Sequence, residues 1–93
     1  MVKGTLSNAD RDALRAQSYS LVPVVQIGKN GLTKEVIAQI EKYIKKHRLM
    51  KVKLLRSCLE ETPKKQVIMD LVKKTNTLLV HHVGFVVVLY RER

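Results

Sequence analysis

In this chain of 93 amino acids, the residues best suited to chemistry are Gly28-Lys29-Asn30-Gly31. Glycines separated by two residues let a backbone turn sharply and approach a ligand without side-chain interference. Amides left free in such a turn, and at the start of a helix after it, can donate to phosphate oxygens. The helix dipole favours an anion at the same place. Lys29 adds a point charge inside the turn. The KH domain uses the same device, a GXXG loop that clamps a nucleic-acid backbone. Four residues alone also fit an ordinary strand-to-helix turn, so the surroundings must decide. The chain has no Walker A motif, and nucleotide hydrolysis has no support.

The charge balance points the same way. Eighteen Lys and Arg oppose eight Asp and Glu, a net charge of +10. A folded domain so charged repels itself, and an anionic partner relieves that cost. Nucleic acid comes first, because neutralising its phosphates releases condensed counterions; an acidic membrane surface comes second. Lys34, Lys42, Lys45 and Lys46 fall in one helical stretch, and Lys51 and Lys53 in the next strand. From Lys42 to Arg56 there are seven cations and no acid. A solvated helix face, an i,i+4 pair of Glu41 with Lys45, and a lysine-blunted edge strand account for some of them. None accounts for the missing acids. Phosphate contact is expected of Lys29 and Lys34, with Lys42, Lys45, Lys46, Lys51 and Lys53 as supporting charges.

Other chemistries find no residues to carry them. His81 and His82 are adjacent in a strand-like segment and so point to opposite faces. His47 ends a helical stretch, and Cys58 has no partner at ligand spacing, so no metal is expected. Ser18, Ser20, Ser57 and Cys58 belong to no nucleophile motif, and no acid–base pair can be nominated. Neither an enzyme, a cofactor nor a small-molecule substrate is expected. Tyr43 reads as core-facing, Phe85 and Tyr90 lie in or beside an apolar strand, and Tyr19 is the one ring expected to be exposed. Recognition should then rest on backbone and shape more than on base stacking.

The elements that hold these residues follow from periodicity. A first helix is expected over Asn8–Ser18, capped by Ser7, with a weak apolar face of Leu6, Ala9, Ala13 and Ala16. Val22–Ile27 reads as a strand, with Pro23 near its start. Thr33 caps a second helix to about Arg48, whose Val36, Ile37, Ile40, Tyr43, Ile44 and His47 share one face. Met50–Arg56 alternates as a strand. Cys58–Thr62 reads as loop, and Pro63 opens a third helix to about Thr75. Leu78–Val83 and Phe85–Arg91 form a hairpin turning at Gly84, the last strand apolar on both faces and therefore central. The expected fold is α/β: a four-stranded mixed sheet in the order α-β-α-β-α-β-β. Two strand–helix–strand units should have parallel neighbouring strands, and the second and third helices should share one face.

At 93 residues and 45% apolar, one domain spanning 1–93 is expected. A single cysteine allows no internal disulfide, which suits a reducing compartment. The opening MVKGTLSNADRDAL lacks a signal peptide's apolar core, and Phe85–Tyr90 is too short to span a bilayer. A soluble cytoplasmic protein with no membrane partner is the expectation.

Val22–Thr33, reading VPVVQIGKNGLT, strongly resembles the signature of the CRM domain, the chloroplast RNA splicing and ribosome maturation family. The likeness continues through the IxxIxxYI pattern of the second helix, HRLMKVK at His47–Lys53, and VGFVVVLYR at Val83–Arg91. Ser57–Lys65 follows no pattern of the family. The resemblance implies a fold like the C-terminal domain of translation initiation factor three and binding to RNA. It implies association with large-subunit ribosomal precursors, as for the family's bacterial members; plant members assist group II intron splicing. The family's GXXG loop falls on Gly28, Lys29, Asn30 and Gly31, beside a basic surface treated as the RNA contact. The competing reading is a protein–protein adaptor whose basic face docks on an acidic, for example ribosomal, partner.

Overall fold

The computed structural model describes residues 6–91. The first five residues, part of the N-terminal stretch read for a signal peptide, and the last two lie outside it. In chain order the elements are α1 (Asn8–Ser18), β1 (Pro23–Ile27), α2 (Lys34–His47), β2 (Leu49–Leu54), a 3-10 turn at Arg56–Leu59, α3 (Lys64–Thr75), β3 (Leu78–Val83) and β4 (Val86–Tyr90). The expected order and four-stranded mixed sheet are both present. The loop expected at Cys58–Thr62 is partly structured: the 3-10 turn takes in Arg56 and buries Cys58.

The strands lie in the order β1-β2-β4-β3. β1 and β2 pair in parallel, and β4 pairs antiparallel with both neighbours. The expectation that β2 and β3 would be neighbours is overturned, because β4 lies between them. The cause is burial. Val87, Val88 and Leu89 are all buried, so this strand needs cover on both faces and takes an interior place. β3, with His82 and Val83 exposed, can stand at the edge.

One face of the sheet carries the main core. Ile40 and Ile44 from α2 and Val67, Ile68 and Leu71 from α3 pack on Val25, Ile27, Met50, Val52, Leu54, Val87 and Leu89. Each such aliphatic side chain contributes roughly 1.5–3 kcal/mol relative to exposure. α2 and α3 therefore share a face, as their apolar stripes required. Thr33 caps α2 by accepting from the Val36 amide at 3.2 Å. His47, expected on the inner face, is exposed; it stacks on Tyr43 with centroids 4.1 Å apart.

The position of α1 could not be read from its sequence. It packs against β3 and β2 on the other face, where Val80 and Val88 are each 1% exposed. Val80 is the extra residue of a register shift between Leu79 and His81. The expected alanine face is wrong: Ala9, Ala13 and Ala16 are exposed, Leu6, Leu14 and Arg11 are half-buried, and Ser18 is buried. Alanines bury too little area to set a docking angle, so the two half-buried leucines and Ser18 decide it. The Ser18 hydroxyl donates to the Arg15 carbonyl at 2.7 Å. Ser7 caps the other end, accepting from the Asp10 amide at 3.0 Å.

Arg91, just past β4, joins the helix ends. Its guanidinium donates to the carbonyls of Thr75 and Asn76 that close α3, and to Glu41 of α2 at 3.2 Å. Its amide donates to the Arg48 carbonyl at 2.9 Å. Replacing Arg91 with Met should lower unfolding stability by about 1–2 kcal/mol in urea titration, through lost charge-assisted bonds to half-buried carbonyls.

His81 lies in register with Val88, which also pairs with Lys51. Burial lowers its pKa, and the nearby charges of Arg15, His82 and Lys51 lower it further. The native state therefore resists its protonation, while the unfolded chain accepts a proton first. Stability should hold above the ordinary imidazole value of about 6.5 and fall as pH drops through and below it. Thermal unfolding across this range should show the slope for the wild type and a flatter one for His81→Gln.

Candidate nucleic-acid interface

β1 ends where the Ile27 carbonyl accepts from the Leu55 amide at 2.9 Å, and the chain then reverses. The Gly31 amide donates to the Gly28 carbonyl at 2.9 Å, closing a four-residue turn with Lys29 and Asn30 exposed at its tip. Gly31 has φ of +69°, the left-handed region that a side chain resists. Its carbonyl accepts from the Thr33 amide at 3.0 Å, which delivers the chain into α2.

These bonds consume part of the amide set that the sequence offered. Gly31, Thr33 and Val36 donate within the protein. The amides of Gly28, Lys29 and Asn30 in the turn, and of Lys34 and Glu35 in the first turn of α2, have no partner among the described residues. Lys29 and Lys34 are exposed beside them, and neither takes part in the two ion pairs among the described residues. The result is an exposed corner of donors with positive charge on both sides of it. The two glycines also differ in why they are there. At Gly28 the backbone is not left-handed, and an added Cβ would lie 3.6 Å from Leu55 Cδ1 and 3.8 Å from Ser57 Oγ, ordinary contacts. The fold itself asks for glycine only at Gly31.

The remaining lysines do not form one patch with this corner. Lys53 pairs in register with Gln26, two residues before Gly28, and so lies at the turn's end of the sheet. It alternates with the core residues Val52 and Leu54, which puts it on the face away from α2. Lys51 is half-buried, and its ammonium donates to the Leu21 carbonyl at 3.0 Å, a tie between β2 and the segment after α1. Because β2 is an interior strand, edge protection explains neither lysine. Lys42, Lys45 and Lys46 are exposed but lie roughly 12–18 Å along the α2 axis from Lys34.

Two features near the turn's end of the sheet escaped the sequence reading. Phe85 is 40% exposed, so Tyr19 is not the only exposed ring. The Lys64 ammonium lies 5.9 Å from the Phe85 ring centre and donates to the Gly84 carbonyl at 2.8 Å. The available signal was the place of Phe85 directly after the turn glycine, where a strand residue loses its neighbours. Arg56, exposed in the 3-10 turn, is a further cation in the segment that Gly28 abuts.

Burial pushes the Cys58 thiol up, which keeps it protonated and a poor nucleophile. Among the described residues no three His, Cys, Asp or Glu side chains converge to hold a metal ion. No helix among them is long and apolar enough to cross a membrane.

Known proteins share this architecture. A Haemophilus influenzae RNA-binding protein is 37% identical over 87 residues, covering 94% of this chain and 86% of the relative. A Bacillus subtilis protein named a probable RNA-binding protein is 34% identical over 87 residues, covering 94% and 88%. The solution structure of a Staphylococcus aureus protein, proposed to bind RNA, superposes with a TM-score of 0.80 at 30% identity, covering 96% of this chain and 91% of that one. The family model for the CRS1/YhbY (CRM) domain matches residues 6–91, essentially every residue that builds the sheet, the helices and the glycine-flanked turn. The chain belongs to the CRS1/YhbY (CRM) domain family.

Proposed function

We propose that this protein is a non-enzymatic RNA-binding domain, one unit over residues 1–93, acting in the cytoplasm. Its target is large-subunit ribosomal RNA or its precursor, bound during ribosome assembly. The observation that carries the reading is the corner at Gly28–Gly31. Three turn amides and two first-turn amides of α2 lack partners among the described residues, with Lys29 and Lys34 beside them. Such a corner suits a phosphodiester backbone: the amides donate to its oxygens and the lysines add salt-sensitive attraction. Membership of a family whose relatives carry RNA-binding names supports RNA over other polyanions. The ribosomal target rests on the likeness to bacterial members that associate with large-subunit precursors. In this reading Lys53 and Arg56 lend charge at the turn's end, and Lys51 serves the fold.

Charge reversal at the tip is the direct test. Lys29→Glu should weaken RNA binding at least about tenfold, roughly 1.4 kcal/mol, in a gel-shift titration. Its thermal midpoint should not change, because the side chain is exposed and in neither ion pair among the described residues. Wild-type affinity in that variant would sink the assignment of the turn. Co-purification with ribosomal material that survives ribonuclease would favour the acidic-protein adaptor instead.

The two glycines should separate binding from folding. Gly31→Ala should cost about 1 kcal/mol of stability by forcing a side chain into the left-handed region. Gly28→Ala should leave urea unfolding unchanged and still weaken RNA binding, because its Cβ would narrow the space between the turn and the Leu55–Ser57 segment, beside Arg56, through which a backbone phosphate reaches the turn amides. Unchanged affinity in stable Gly28→Ala would count against close approach at that position.

A further inference from the structure

The lysines of α2 that lie far from the turn have different neighbours in the fold. α2 carries the chain from the end of β1 to the start of β2, which runs parallel to β1. α3 carries it from the end of β2 to the start of β3, and both of these strands run antiparallel to β4. The two helices therefore point the same way and pack together, with their C-termini at the end of the molecule opposite Gly28–Gly31. Arg91 makes the juxtaposition concrete: it bonds to the carbonyl of Arg48, which closes α2, and to that of Asn76, which closes α3. Lys42, Lys45, Lys46 and Arg48 of one helix thus lie at the same end of the molecule as Lys73 and Lys74 of the other, with Lys45 and Arg48 flanking Arg91.

Cations at helix C-termini ordinarily answer the helix dipole, worth about half a charge per end. Here part of that demand is already met, chiefly at the end of α3. The Arg48 amide closes onto the Ile44 carbonyl, the Asn76 amide onto those of Val72 and Lys73, and Arg91 takes those of Thr75 and Asn76. Of the acids among the described residues near this end, Glu41 is paired with Arg91, and Asp70, one turn before Lys73 and Lys74, accepts from the Gln66 side-chain amide at 2.9 Å. Six full charges remain, all on exposed residues and none in either ion pair among the described residues. Between them and Lys34, the exposed surface of α2 shows the acidic Glu35, beside Lys34, and then the uncharged Ala38 and Gln39. A gap of roughly 12 Å along the axis exceeds the screening length of about 8 Å at physiological salt, so the two ends attract ligands independently.

We infer that this far end is a second phosphate-binding surface, which takes an RNA segment other than the one at the glycine-flanked turn. One chain then holds two RNA segments at once and promotes their pairing. The inference rests on the RNA-binding reading above, but on different residues, so each can fail alone.

The test uses the full chain and an oligouridylate too short to reach from one end to the other. Native mass spectrometry should find two copies per wild-type chain. Lys73→Glu/Lys74→Glu should retain one copy, and Lys29→Glu should also retain one. The neutral pair Lys73→Gln/Lys74→Gln, checked by circular dichroism, should give the same loss if reversal frays the end of α3. Wild-type protein should speed annealing of two complementary RNA strands at least about fivefold, with either single-end variant losing the gain. One copy per wild-type chain that Lys29→Glu abolishes, or two copies undiminished in both lysine-pair variants, would overturn the second site while leaving the turn intact. Two copies undiminished by Lys29→Glu alone would overturn the turn and spare the far end.

Discussion

The burial of β4 on both faces is the constraint from which the rest of the arrangement follows. Val87 and Leu89 face the layer of α2 and α3, and Val88 faces the layer under α1. A strand of this kind is stable only with a paired neighbour on each edge and a helix on each side. It takes β2 and β3 as the neighbours and leaves β1 and β3 as the outer strands. α1 contributes little apolar surface of its own, yet it is needed because Val80 and Val88 must be covered.

That arrangement also fixes where charge can go. With α2 and α3 parallel on one face, both helix starts lie at the end of the sheet that carries the glycine-flanked turn. Both helix ends lie at the other. The unsatisfied donors of helix starts and the lysines that follow helix ends are thereby sorted to opposite poles of a molecule whose longest extent is 35 Å. Arg91 is drawn inward, and its bonds to Thr75, Asn76 and Glu41 hold the second pole together.

The same sorting separates structural lysines from available ones. Lys51 and Lys53 are alike in sequence, two positions apart on one strand. Lys51 lies in the part of the sheet face that α1 covers and bonds to the Leu21 carbonyl. Lys53 lies nearer the turn and is exposed. Position relative to a helix from elsewhere in the chain, rather than residue type, decides which of them can meet a ligand.

Local rules were enough for the elements themselves. Ser7 and Thr33 as caps, the Ile40/Ile44 stripe, the strand alternation of Met50, Val52 and Leu54, and the turn glycines at Gly31 and Gly84 all depend on residues within a few positions of one another. The family resemblance and the net charge likewise needed no coordinates. Three things depended on contacts between distant segments: the insertion of β4 between β2 and β3, the face and docking of α1, and the division of the basic residues between two poles. Periodicity reports which side of an element is apolar but not what will cover it. The GKNG motif shows a further limit. Its residues were legible, but which amides remain free was settled only when the Gly28 and Gly31 carbonyls found their donors in the folded turn.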